Sequence, residues 1–231
     1  MPTFEQNIAD IRARISAAAQ LAQRDPRDIK LMAVSKTRDA EDVRLAAACG
    51  IEHFAVNYLQ EDSAKINALQ GLAIEWHFVG PLQSNKTKPV AKNFSWVHSV
   101  DRLKIAQRLN DQRSSALAPL NVCLQVNIDR EPSKSGLMAE DALCIARVIA
   151  QLPNLKLRGL MAIPKSYTDL DGQREPFRKL RLLKQEINCE LDNLQKLDTL
   201  SMGMSADIEA AIFEGATIIR VGTGIFGPRN N

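Results

Sequence analysis

The sequence predicts an α/β fold of one domain, a single (β/α)8 TIM barrel with one extra helix at its N-terminus. Three observations lead there. Eight short apolar runs recur along the 231 residues, each bounded by polar or turn residues as buried strands are. An amphipathic helical pattern follows each of the first seven, the alternation that builds parallel βαβ units. Eight such units are the number that closes a barrel, and a barrel usually takes ~250 residues. An open doubly wound sheet uses the same alternation and is the other arrangement open to these elements.

The opening helix covers about 4–23, with Ile8, Ile11, Ile15 and Leu21 on or near one stripe. After Asp25-Pro26 the strands are expected at 30–34, 53–56, 75–80, 96–100, 122–128, 157–163, 199–203 and 217–222. The helices that follow fall at roughly 39–49, 59–69, 84–92, 102–112, 139–151, 174–195 and 206–214. No Ser/Gly/Pro-rich linker or low-complexity tract divides the chain, and 164–172 is a loop at most, so residues 1–231 are expected to form one domain.

Composition narrows the function. A hydrophobic content of 45% with 25% charge is that of an ordinary soluble globular protein. A net charge of +3, 5% aromatic residues and the lack of a dense Lys/Arg stripe argue against nucleic acid as a partner. Cys49, Cys123, Cys144 and Cys189 are scattered without a C-x-x-C, which fits free thiols in a reducing compartment. His53, His77 and His98 show no ligand spacing, so no metal site is expected. The N-terminal stretch is charged throughout and no apolar run approaches ~18 residues, so neither a signal peptide nor a membrane span is expected. These features point to the cytoplasm, with neither nucleic acid nor membrane as a partner; a small-molecule partner and a monomer are the accompanying expectations, which composition by itself does not fix.

In a barrel the chemistry gathers at the C-terminal ends of the strands. The polar residues of this chain sit there: Ser35-Lys36 after the first strand, Asn57-Tyr58 after the second, and the run Gly80 to Lys86 after the third. Asn127 follows the fifth, Met202-Gly203-Met204-Ser205 the seventh, and Arg220 with Gly222-Thr223-Gly224 the eighth. Glycines let backbone N–H groups approach an anion, and the eighth strand is where barrels often bind phosphate. Ser205 precedes "ADIEAAI" as a candidate N-cap, and a helix N-terminus also attracts phosphate. Plain capping and turn geometry would account for the same residues.

Lys36 has three readings: a solvated strand end, a point-charge contact to phosphate, or a Schiff-base nucleophile. The last needs a neutral amine, which apolar walls favour. A phosphate site and such a lysine at one mouth suggest a phosphorylated aldehyde, and pyridoxal 5′-phosphate (PLP) has both handles. In "TIIRVG" the alternation places Ile218, Arg220 and Gly222 on one face. Pointing into the barrel, the Arg220 guanidinium would need a partner, either a carboxylate or the ring nitrogen of a bound pyridine. Arginine does not readily give up a proton, so that nitrogen would stay unprotonated and the cofactor would be a weak electron sink.

The segments "AVSKTR" (33–38), "HFVGPLQSNK" (77–86), "RGLMAI" (158–163), "LSMGMSADIEAAI" (200–212) and "RVGTGIFGPR" (220–229) occur in order along nearly the whole chain. With Asn127, Glu131, Lys134 and Gly136 of "NIDREPSKSG", they resemble the pyridoxal phosphate homeostasis proteins. The resemblance implies a barrel similar to the N-terminal domain of alanine racemase, with PLP as cofactor, held as a Schiff base on Lys36. It implies Ser205, Gly222 and Thr223 at the phosphate, Arg220 at the pyridine nitrogen, Asn57 along the ring, and His77 and Met204 as neighbours. Where family members usually carry Gly-Glu-Asn, this chain has Ala55-Val56-Asn57, so no carboxylate stands at 56; the pattern resumes at Tyr58, Gln60 and Glu61. The function implied is intracellular vitamin B6 homeostasis: a PLP carrier or regulator without strong catalysis, serving PLP-accepting apo-enzymes. The alternative is a PLP-dependent enzyme of the amino-acid racemase type. Racemisation needs a second acid/base opposite the lysine, and Tyr58 and Tyr167 are the only tyrosines, Tyr167 being the better placed. A cofactor-free Schiff-base aldolase would leave Arg220 unexplained.

Overall fold

The structure is a computed structural model that describes residues 3–228, apart from the side chains of residues 60–62. The family positions Gln60 and Glu61, as side chains, and Arg229 therefore lie outside the described residues. Eight parallel strands pair in chain order and close on themselves: β1 (Lys30–Val34), β2 (His53–Val56), β3 (Glu75–Phe78), β4 (Trp96–Val100), β5 (Leu120–Gln125), β6 (Leu155–Met161), β7 (Thr199–Ser201) and β8 (Ile218–Val221). Closure comes from β8 pairing with β1, with Met32 opposite Arg220. This is a TIM barrel rather than an open sheet.

The connecting helices are α2 (Ala40–Ala48), α3 (Leu59–Ala68), α4 (Thr87–Asn93), α5 (Leu103–Gln112), α6 (Ala139–Ile149), α7 (Leu170–Glu190) and α8 (Ile208–Phe213). A short α9 (Thr223–Phe226), which no periodicity announces, follows β8. Outward strand residues such as Ala33, Phe54, Val97 and Ile219 pack with the apolar faces of the helices into one continuous core. A smaller cluster of Met32, Ala55, Trp96, Cys123, Met161 and Ile218 sits inside the barrel, and its remaining space is taken by buried polar side chains.

The extra helix, α1 (Phe4–Leu21), is N-capped by Thr3, whose side chain accepts the Gln6 N–H at 3.2 Å. Its buried stripe is Ile8, Ile11, Ile15, Ala18 and Ala19; Leu21, expected on that stripe, is 77% exposed. The turn after Ile15 brings Ala18 and Ala19 under the helix, which rotates Leu21 outward. Several strands end earlier than apolarity suggests: β5 stops at Gln125, not 128, β6 at Met161, not 163, and β7 at Ser201, not 203. Val126, Ala162 and Met202 beyond those ends are nonetheless buried, and each still gives one backbone N–H to the neighbouring strand, to the Met161, Ser201 and Ile218 carbonyls respectively, although the regular ladder has ended. The helix expected at 174–195 begins earlier, where Asp169 caps the Gly172 N–H at 2.8 Å, and ends at Glu190 before a separate 3-10 turn.

Gly159 shows how tightly the barrel is drawn. The β5–β6 register shifts between Val122 and Cys123, and a Cβ on Gly159 would lie 1.8 Å from the Thr199 carbonyl oxygen of β7. Gly159→Ala is expected to force β6 from β7 and cost about 3 kcal/mol or more in urea denaturation. Gly71→Ala, at φ 98° but with nothing near its Cβ, is expected to cost only about 1 kcal/mol.

Candidate functional site

At the C-terminal mouth lies a cavity of about 310 Å³. Lys36, Asn57, Met204, Ser205, Arg220, Gly222 and Thr223 all line it; His77 does not. The β1–β8 seam is what brings them together, since Lys36 leaves β1 two residues beyond Val34 while Gly222 and Thr223 leave β8 beside it.

The turn carrying Lys36 is held in a costly conformation. Thr37 has φ 63°, a region that a β-branched residue rarely enters. Lys65, 7% exposed on α3, closes the turn by donating to the Ser35 carbonyl at 2.9 Å and the Arg38 carbonyl at 3.0 Å. On the other side Arg38 donates to the carbonyls of Gly227 and Pro228, both at 2.8 Å. The lysine is thus carried by a loop fixed from two directions. No periodicity marks Lys65 as special, because its role depends on where α3 packs.

Arg220 is 4% exposed and hydrogen-bonds to neutral oxygens, not to a carboxylate. Nη1 donates to the Ser201 carbonyl and, at 3.0 Å, to Ser201 Oγ; Nη2 donates to the Ala162 carbonyl at 2.8 Å. Burial brings its pKa down to about 10, with Asp207 opposing, so it stays cationic at neutral pH and presents positive charge to the cavity. Asn57 Oδ1 is buried on the cavity wall with no hydrogen-bond partner among the described residues. An orphaned acceptor on a cavity wall fits a ligand that brings a donor.

Ser205 is not the N-cap of α8. That helix starts at Ile208, and Asp207 closes a turn by accepting the Met204 N–H at 2.5 Å and donating its own N–H back to the Met204 carbonyl at 3.1 Å. The aspartate carboxylate competes better than a hydroxyl for the turn's N–H, which leaves the Ser205 side chain on the cavity wall. Of the glycines, Gly222 has φ −109° and its Cβ would meet nothing closer than 3.4 Å. Gly224 is the constrained one: a Cβ there would lie 3.2 Å from Ser205 Oγ and 2.9 Å from Val221 Cγ1. Its bare Cα lets α9 close onto Ser205, which makes a corner of hydroxyl and backbone N–H groups.

The "HFVGPLQSNK" segment braces the mouth. A Cβ on Gly80 would lie 2.0 Å from the Asn57 carbonyl oxygen, so the β3 exit presses directly on the residue that lines the cavity. The Ser84 carbonyl accepts from Arg108 at 2.7 Å and from Thr87 Oγ1 at 2.9 Å.

His77 lies inside the barrel, fully buried, between two other histidines: His77 Nε2 is 3.1 Å from His53 Nδ1 and His77 Nδ1 is 2.9 Å from His98 Nε2. The ligand atoms of His53, Glu75 and His77 all fall within 4.8 Å of one another, although their sequence spacing resembles no ligand pattern. Adjacent parallel strands in register put His53 beside Glu75 and Ala55 beside His77, a proximity that no single segment reveals. Burial pushes the pKa of His77 well below the ordinary imidazole value, and burial with the charge of Arg220 pushes His98 to about 3. The hydrogen bond from His53 holds the Glu75 carboxyl down to about 2.

Two expectations follow from these contacts. Lys65→Met removes two charge-assisted donors from buried carbonyls and is expected to lower unfolding free energy by about 2–3 kcal/mol in urea titration. His77 and His98 stay neutral in the fold but become charged when unfolded below pH ~6.5. Their contribution is therefore complete above that pH and lost as pH falls toward the folded values. Between pH ~6.5 and ~5 both are expected to lower stability together, read as a melting temperature that falls with pH before Glu75 begins to titrate.

The family model for the alanine racemase N-terminal domain matches residues 6–230. An alanine racemase from Clostridium difficile superposes with a TM-score of 0.66 at 16% identity; the match covers 96% of this chain but 58% of that one, a likeness of fold alone. PipY of Synechococcus elongatus, solved with PLP bound, superposes at 0.81 with 36% identity over 92% of this chain and 100% of that chain. A protein of Pseudomonas aeruginosa named pyridoxal phosphate homeostasis protein is 55% identical over 230 residues, covering 100% of this chain and 97% of its own. Its namesake in Escherichia coli is 46% identical over 233 residues, covering 100% and 98%. With identity at that level along its whole length, the chain belongs to the family of pyridoxal phosphate homeostasis proteins.

Proposed function

We propose that the chain binds PLP at the barrel mouth, holds it as a Schiff base on Lys36, and serves intracellular PLP homeostasis as a carrier without strong catalysis. The observation that carries this reading is one cavity of about 310 Å³ that gathers a lysine on a pinned turn, a buried guanidinium, a hydroxyl beside backbone N–H groups, and the orphaned Asn57 Oδ1. When bound, PLP supplies an aldehyde that condenses with an amine and releases water.

Lys36 supplies that amine. Ser205 and the backbone N–H groups at Gly222 and Thr223 would anchor the phosphate, with Met204 as a neighbour on the cavity wall. Asn57 Oδ1 accepts from a ring substituent. Arg220 donates to the pyridine nitrogen and, being cationic, keeps a proton off it, which weakens the ring as an electron sink. His77 enters only from behind, through its neighbours.

A racemase would need an acid/base facing Lys36 across the ring. Neither Tyr58 nor Tyr167 lines the cavity, which supports the carrier reading. Among the described residues no helix is long and apolar enough to cross a membrane. The same proposal has the protein acting in the cytoplasm as a monomer that yields PLP to apo-enzymes.

Purified protein mixed with PLP is expected to develop a visible absorption band that Lys36→Ala abolishes. Borohydride treatment should then leave a pyridoxyl group on the peptide carrying Lys36. A colourless protein that takes up no added PLP would sink the proposal. In deuterated water, amino-acid α-proton exchange is expected to show no multiple turnover; turnover that disappears in Tyr167→Phe would overturn the carrier reading in favour of the enzyme.

A further inference from the structure

Imidazoles buried in a barrel must be hydrogen-bonded, and each neutral one has a single N–H to give. Below Arg220 they stand in a row. His53 Nδ1 is 2.9 Å from Glu75 Oε2 and 3.1 Å from His77 Nε2. His77 Nδ1 is 2.9 Å from His98 Nε2, and His98 Nδ1 is 2.9 Å from Ser201 Oγ. Ser201 Oγ in turn accepts from Arg220 Nη1 at 3.0 Å. The row therefore runs from the lower mouth of the barrel, where Glu75 opens β3, to the cavity at the upper mouth.

Its direction follows from one end. An ionised carboxylate can only accept, so His53 carries a hydrogen on Nδ1 whatever its charge. That one hydrogen is shared between Glu75 Oε2 at 2.9 Å and His77 Nε2 at 3.1 Å, and a second hydrogen on His77 Nε2 would point straight at it, so His77 Nε2 accepts and the His77 hydrogen sits on Nδ1. The same step at the next contact makes His98 Nε2 an acceptor and His98 Nδ1–H a donor to Ser201 Oγ. Glu75 is itself fixed through its other oxygen, which accepts the Trp96 Nε1–H at 2.9 Å. At the far end the two Ser201 oxygens and the Ala162 carbonyl occupy both Nη1 hydrogens and one on Nη2, so that among the described residues Nε–H and one Nη2–H of Arg220 have no acceptor.

We propose that Glu75, His53, His77, His98 and Ser201 form a one-way hydrogen-bonded line through the barrel that positions Arg220 for the ring nitrogen of PLP, with Glu75 setting its direction from the opposite mouth. The inference rests on the cavity being a PLP site. These are positioning residues, since none of them lines the cavity and they reach the cofactor only through Arg220. Replacing the carboxylate by an amide reverses the line. In Glu75→Gln the amide oxygen keeps the Trp96 N–H, the NH2 turns to His53, and His53 Nδ1 must then accept. His77 and His98 each move their hydrogen to Nε2, and the Ser201 hydroxyl changes from acceptor to donor.

The direction is read on the full chain before PLP is added, from the 15N shifts of the imidazole nitrogens. The expected spectrum shows His77 and His98 protonated at Nδ1 and bare at Nε2, with both reversed in Glu75→Gln. The effect on the cavity is read by PLP titration followed at the visible band. Ser201→Ala, with unchanged circular dichroism, is expected to raise the dissociation constant about tenfold, the equivalent of about 1.4 kcal/mol. Hydrogen on Nε2 of either histidine in the unaltered protein, or tautomers indifferent to Glu75→Gln, overturns the one-way line. If either variant fails to fold, the spectrum of the unaltered protein still decides its direction. Folded Ser201→Ala and Glu75→Gln proteins that bind PLP as the unaltered one does overturn the link to Arg220. An unaltered protein that takes up no PLP overturns the reading of the cavity and the role of the line with it, while the nitrogen spectra still judge the tautomers separately.

Discussion

The backbone ladder between β1 and β8 is the constraint on which the rest depends. It joins residues 30–33 to residues 218–221, nearly the full length of the chain apart, and places Met32 beside Arg220. Without it the turn bearing Lys36 and the corner made by Ser205, Gly222 and Thr223 would sit on opposite edges of an open sheet. Contacts so distant in sequence are slow to form because loop closure precedes any gain. Once made, the seam is reinforced from the side by Arg38, whose guanidinium reaches the carbonyls of Gly227 and Pro228 and lies 5.7 Å from the Phe226 ring centroid.

The second organising feature is polarity inside the barrel. A barrel of this size is usually filled by branched apolar side chains. Here His77, His98, Ser201 and Arg220 occupy part of that volume, and each has a hydrogen-bond partner. A satisfied polar core specifies geometry more sharply than an apolar one, because shifting any member orphans the next. Such a floor holds the Arg220 guanidinium still where it meets the cavity.

Legibility in the sequence followed locality. Strand centres were readable because apolar runs between turns are local signals, and 30–34, 53–56 and 96–100 coincide with the observed strands. The inward face of β8 was readable from the alternation of Ile218, Arg220 and Gly222, since a strand's period needs no knowledge of its neighbours. Strand ends were less readable, because Val126 and Met202 stay apolar and buried past the point where the ladder thins to single hydrogen bonds. Ser205 reads as a cap from its neighbours in sequence, but Asp207, two residues on, closes the turn instead. The meeting of His53, Glu75, His77 and His98 was invisible, being a product of register between strands. Lys65 was invisible for the same reason: only the packing of α3 brings its ammonium under the Ser35 and Arg38 carbonyls.

The N-terminal helix, an addition to the eightfold plan, has a consequence of its own. Arg14 pairs with Glu209 at 2.8 Å and also donates to the Ser205 carbonyl at 3.0 Å. Asn7 donates to the Ile225 carbonyl at 2.9 Å, and Phe4 meets Phe226 edge-on at 5.8 Å between centroids. The helix therefore grips both pieces of chain that form the corner beside the cavity. Local opening free energies are shared among elements that hold one another, and such coupling is reciprocal. An anion seated in that corner would thus lend part of its binding free energy to the amino terminus, and fraying of the first turns of the chain would loosen the anion. Occupancy at one end of the barrel and order at the start of the polypeptide become two measures of a single equilibrium.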